Sequence, residues 1–121
     1  MTRFSPRAKL WLEADGKLVM SDYRVRLLEL VAETGSLAKA AETMRLSYRR
    51  AWGKVKEIEE NLGVDLVQSE VGGAGGGHTV LTPEGVAFVA AYRRFQDRVA
   101  RSLEEAYAEE LANLGPVVPN S

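Results

Sequence analysis

The sequence predicts a mainly α-helical chain with small β-hairpins, and three features of it carry that prediction. Two short helical segments follow each other closely, each opened by a serine, at Ser36 and Ser47. A run of glycines at 72–77 separates two short alternating stretches. From Phe88 to Leu111, apolar residues recur at steps of 3 or 4 with no proline between them.

The elements follow in order. Residues 1–7 are polar, too short for a secretory signal, and read as a flexible start. Lys9 to Glu13 alternates polar with apolar, Asp15-Gly16 supplies a tight turn, and Lys17-Leu18-Val19 returns, so a hairpin is expected. Ser21 caps a first helix whose stripe is Tyr23, Leu27, Leu28, Leu30 and Val31, closed by Gly35. Ser36 caps a second, in which Leu37, Ala40, Ala41 and Met44 share a face up to Arg45-Leu46. Ser47 opens a third over about 48–62, stopped by Gly63. Two capped helices a few residues apart are a helix-turn-helix signal.

Val64 to Gln68 and His78 to Leu81 read as two strands joined by the glycine-rich tip, which is the wing of a winged helix-turn-helix. Thr82 then caps a long helix with Pro83 at its first position, running to about residue 113. Its stripe is Phe88, Tyr92, Phe95, Val99, Leu103, Tyr107 and Leu111, and such a helix outruns one small domain, so its partner is expected to be a second copy. The expected organisation is a winged domain over 8–82, a dimerisation helix over 83–113 and a disordered tail over 114–121.

Charge points to the partner. The chain as a whole carries −1, yet Lys39, Arg45, Arg49, Arg50, Lys54 and Lys56 stand against Glu42 alone between residues 36 and 56. That polarisation suits one basic face held against an anionic surface, here double-stranded DNA. On a helical wheel Ala51, Val55, Ile58 and Leu62 of the third helix face inward, and Arg49, Gly53 and Lys56 face away. Arg50 and Trp52 flank the outward face, while Glu57 and Glu60 make its far end acidic. Recognition helices present their N-terminal residues to the major groove in this way.

Arg49 offers a bidentate fork to guanine or phosphate, Lys56 a point charge, Gly53 close approach, and Trp52 a plane for sugar or a thymine methyl. Tyr48 lies nearer the inward arc and suits core or contact equally. The residues expected to meet DNA are Ser36, Ser47, Tyr48, Arg49, Arg50, Trp52, Gly53, Lys54 and Lys56, with Gly73, Gly75, Gly76, His78 and Thr79 in the wing.

Other chemistries find little support. The glycine run lacks the lysine of a phosphate-binding loop and leads into a strand where such a loop opens a helix. His78 is the only histidine and there is no cysteine, so no enzyme, metal site or cofactor is expected. No apolar run approaches a membrane span, and the setting expected is the cytoplasm. The rival reading from another class is a protein-interaction adaptor on the same scaffold; the basic half of the third helix favours DNA over it.

Gly35-Ser36-Leu37, Ser47-Tyr48-Arg49-Arg50-Ala51-Trp52 and the stretch from Val71 to Thr82 together resemble the N-terminal DNA-binding domain of the molybdate-responsive ModE-type regulators. Leu62-Gly63-Val64-Asp65-Leu66 is more distantly similar to LysR-type winged helix-turn-helix domains. The resemblance implies a dimeric winged-helix repressor or activator with Tyr48, Arg49, Arg50 and Trp52 in the recognition helix and the glycines in the wing. Family members carry oxyanion-binding domains after the long helix, whereas a short tail follows Asn113 here, so molybdate or tungstate binding is not expected of these residues.

Overall fold

The computed structural model describes residues 4–70 and 78–114, and the chain falls into two compact units. The larger, Leu10–Tyr92, is a winged helix-turn-helix. It opens with the hairpin β1 (Trp11–Ala14) and β2 (Lys17–Ser21), turned by Asp15 and Gly16 at φ 52° and 77°. Two consecutive left-handed residues match the right-handed twist of the flanking strands. Ser21 ends β2 and caps α1 (Asp22–Thr34), its Oγ accepting from the Arg24 amide, and Gly35 at φ 70° closes the helix.

Ser36 caps α2 (Leu37–Thr43), and Arg45 at φ 58° turns the chain so that the Leu46 amide reaches the Ala41 carbonyl at 2.8 Å. Ser47 caps α3 (Tyr48–Leu62), ended by Gly63 at φ 82°. The wing is β3 (Val67–Glu70) paired antiparallel with β4 (His78–Leu81), Val67 opposite Leu81. The Thr79 amide leaves this ladder and donates to the Gly35 carbonyl at 3.0 Å, which ties the wing to the turn between α1 and α2.

The α4 helix (Pro83–Glu110) begins at a joint made by one threonine. Thr82 Oγ1 accepts from the Gly85 amide at 2.9 Å and donates to the Asp65 carbonyl at 2.7 Å, while the Thr82 amide donates to the Leu66 carbonyl. Gly85 is required there, because a Cβ would collide with the Leu66 carbonyl oxygen. The core gathers Met20 from β2, Val25, Leu27, Leu28 and Val31 from α1, Leu37 and Ala40 from α2, Val55 and Ile58 from α3, with Leu66 and Tyr92.

Several expectations need correction. β3 starts at Val67, three residues after Val64, since Glu59 Oε2 accepts from the Leu66 and Val67 amides before the ladder begins. Tyr23 is exposed and Arg24 takes the buried place in the α1 stripe. Leu62 does face inward, half-buried against the core, but α4 ends at Glu110, and Tyr48 is 57% exposed and stands outside the core. Tyr92, expected on the dimerisation stripe, is 3% exposed, and its hydroxyl donates to the Leu10 carbonyl at 3.4 Å. Phe88 is half-buried and packs on the same core, so the first turns of the long helix belong to the winged domain.

The smaller unit joins the N-terminal residues to the far part of α4. There Val99, Leu103 and Tyr107 are half-buried, and Phe95, Leu111 and Leu114 are exposed. Phe4, Ser5, Pro6, Tyr107 and Leu111 line a shallow hollow of about 250 Å³. Among the described residues no helix is long and apolar enough to cross a membrane.

Candidate nucleic-acid interface

The α3 helix is built to show one face. Ala51, Val55 and Ile58 have no exposed surface, so the inward arc is fixed by aliphatic packing. At the N-terminus, Ser47 Oγ accepts from the Arg50 amide at 3.2 Å, as Ser36 Oγ accepts from Lys39 at 3.1 Å in α2. Both serines expected at the interface are thus cap acceptors, leaving the α3 N-terminus with its partial positive charge and basic side chains on the outside.

Tyr48, Arg49, Arg50, Trp52 and Gly53 are exposed, and a Cβ on Gly53 would meet nothing within 4 Å. Among the described residues the guanidinium groups of Arg49 and Arg50 are in no ion pair or hydrogen bond, so both are available to an anion. Lys56 is not the free point charge that the sequence leads one to expect, and Lys54 is engaged as well. Lys54 is half-buried, with its ammonium 5.6 Å from the centre of the Tyr23 ring. Lys56 lies 4.5 Å over the Trp52 ring and 3.1 Å from Glu59 Oε1. Any phosphate contact by Lys56 competes with that carboxylate, and Trp52 already has one face covered.

Two residues that hold α3 in place were missed from sequence. Arg24 is 7% exposed and donates through Nη2 to Glu57 Oε1 at 2.8 Å. That hydrogen bond and the guanidinium charge hold the Glu57 carboxyl below its ordinary range; partial burial opposes the shift and Lys54 adds slightly to it. Glu59, also 7% exposed, anchors the chain leading into β3 through the Leu66 and Val67 amides at 2.7 and 3.2 Å. The signal was present, since Arg24 with Leu27, Leu28 and Val31, and Glu59 with Val55, Ile58 and Leu62, complete the i, i+3, i+4, i+7 pattern.

In the wing, His78 is exposed opposite Glu70, and Thr79 is half-buried opposite Ser69 with its amide committed to Gly35. The glycines expected at the tip, Gly73, Gly75 and Gly76, lie outside the described residues.

Residues 23–86 match the model of the bacterial regulatory helix-turn-helix protein, lysR family. The chain is 38% identical over 97 residues to the molybdenum-pterin-binding protein MopB of Rhodobacter capsulatus, covering 80% of this chain and 35% of that protein. It is 32% identical over 98 residues to the DNA-binding transcriptional dual regulator ModE of Escherichia coli (strain K12), covering 81% of this chain and 36% of that protein. The chain therefore spans about a third of the length of these relatives. The crystal structure of the CbnR_DBD-DNA complex matches with a TM-score of 0.55 and 28% identity, over 74% of this chain and 98% of that one. The match runs from the first turn of α1, through both caps and the wing, into the first turn of α4, and on that footing the chain belongs to the lysR family of bacterial regulatory helix-turn-helix proteins.

Proposed function

We propose that this chain is a sequence-specific DNA-binding transcriptional regulator that lays the N-terminal half of α3 in the major groove and binds a palindromic site as a dimer. The observation that carries the reading is the exposed Arg49 and Arg50, their guanidinium groups unpaired, at the capped end of a helix whose opposite arc of Ala51, Val55 and Ile58 is completely buried. The Escherichia coli relative is a DNA-binding transcriptional regulator by name, and the CbnR structure contains DNA; both support the same reading here.

Arg49 reads a base edge, Arg50 and the α3 N-terminus meet phosphate, and the exposed Tyr48 and Trp52 supply apolar contact beside them. Ser47 acts through its cap, and Gly53 lets the helix come close. The wing, with Gly73, Gly75, Gly76 and His78, lies along the sugar-phosphate edge. Phe95, Val99, Leu103, Tyr107 and Leu111 pair with their copies across a two-fold axis.

Selection of bound fragments from random DNA tests this reading, and an enriched palindrome is the expected result. Arg49→Ala is then expected to relax preference at one position of the half-site at a cost of about 1–3 kcal/mol. Competition with single-base variants measures it, and equal loss on every variant would remove the base-reading role. If no sequence is enriched, the reading fails.

A further inference from the structure

The first turn of α1 meets α3 through two consecutive residues: Tyr23 faces Lys54, and Arg24 donates to Glu57. Lys54 and Glu57 are three apart and so share one side of α3. At 100° per residue that side is neither the buried arc of Ala51, Val55 and Ile58 nor the outward arc of Arg49 and Gly53; it is the flank between them. Asn61 extends the same flank, its Nδ2 donating to the Leu18 carbonyl at 2.8 Å. On the opposite flank Glu59 is tied to the start of β3. Aliphatic packing around Ala51 and Val55 fixes which side of α3 faces inward, and these polar ties fix its roll.

Of the hydrogen-bonded ties, Arg24–Glu57 stands nearest the basic half. The Arg24 side chain is 9% exposed and its Nη1 is buried without a hydrogen-bond partner, so this guanidinium is held in the fold by a single carboxylate contact. Glu57 is 54% exposed in its side chain and borders the outward arc one turn beyond Gly53. Left alone there, its negative charge would sit on the path of a phosphate.

We propose that Arg24 is a positioning residue for DNA recognition: acting through Glu57, it sets the roll of α3 and neutralises the carboxylate nearest the basic end of its reading face. The inference rests on the DNA-binding reading. It gives a buried arginine outside the interface a role in how well bases are discriminated, separate from the role of Arg49.

The experiment compares specific with non-specific affinity, across salt concentrations, for the full chain and for Arg24→Met, Arg24→Lys and the double variant Arg24→Met/Glu57→Gln. The double variant leaves no buried charge unpaired, a kind of replacement that folds well. Arg24→Met alone is expected to weaken binding to all DNA, because Glu57 is left uncompensated. The double variant is expected to recover non-specific binding yet keep a ratio of specific to non-specific affinity about tenfold below that of the unchanged chain.

A folded double variant with an unaltered ratio would overturn the proposal, whatever its melting temperature. Arg24→Lys keeps the charge and loses the planar fork, so it decides the matter if the double variant does not fold: a lowered ratio supports the role, and an unchanged ratio overturns it. If the unchanged chain itself selects no DNA sequence, the functional reading fails and this inference falls with it. A selected site that every variant discriminates equally well removes only the role of Arg24.

Discussion

At the scale of single residues, the fold depends on a few polar atoms and one missing Cβ. Gly85 has no room for a side chain against the Leu66 carbonyl, so Gly85→Ala is expected to lower stability by about 1–3 kcal/mol, even though alanine is the better helix former. Urea unfolding followed by circular dichroism measures it, and an unchanged midpoint would contradict the close approach. Glu57 links stability to pH. Its carboxyl is held below the ordinary range by Arg24, so the stabilisation is present above about pH 4 and is lost as pH falls through the lowered folded value. The stability gap between the chain and Glu57→Gln should accordingly close on acidification; thermal melts from pH 7 downward show whether it does. Two buried charges illustrate what a sequence hides. Arg24 and Glu59 occupy the right helical spacing to be buried, but charge argues for solvent until the partner on another element is known.

At the scale of elements, termini were easier to read than faces. The serines at 21, 36 and 47 and the glycines at 35 and 63 act as caps and stops as the sequence predicts, because capping depends on residues one to three positions away. The Asp15-Gly16 turn, β4 and the start of α4 were equally legible. The start of β3 was not, since the Leu66 and Val67 amides are taken by the Glu59 carboxylate seven and eight residues back, a bond that strand alternation does not register. The partners of the lysines differ in the same respect: Lys54 finds Tyr23 on α1, which spacing does not show, whereas Lys56 meets Trp52 and Glu59 on its own helix, at spacings that the sequence does show. The outward placement of Arg49 and Gly53 did follow from periodicity alone. Thr82 gives the test at this scale. Thr82→Val removes both the cap on Gly85 and the tie to Asp65, and a loss of about 1–2 kcal/mol in thermal or urea unfolding is expected.

At the scale of the whole molecule, the division after Tyr92 separates a winged domain with its own core from the remainder of α4. A chain ending after Tyr92 keeps that residue's packing and its bond to the Leu10 carbonyl, so it is expected to fold. It lacks Phe95, Val99, Leu103, Tyr107 and Leu111, and on the proposed pairing it sediments as a monomer and binds a full palindrome more weakly than the 121-residue chain. Half-sites about 34–36 Å apart, or a multiple of that, would place two recognition helices on the same face of the duplex. A monomeric full chain at tens of micromolar, with DNA affinity untouched by the truncation, would rule out the dimer.

The bond from the Thr79 amide to the Gly35 carbonyl makes the wing and the turn before α2 a single lever. Its proton exchanges with solvent only when β4 lifts from that turn, so Thr79 is a built-in gauge of whether the wing is docked. Hydrogen exchange at that one amide, read beside a core amide such as that of Val55, separates loosening of the wing from opening of the domain. A wing substitution that weakens DNA binding can thereby be assigned either to lost contact or to a lever that has come off its fulcrum.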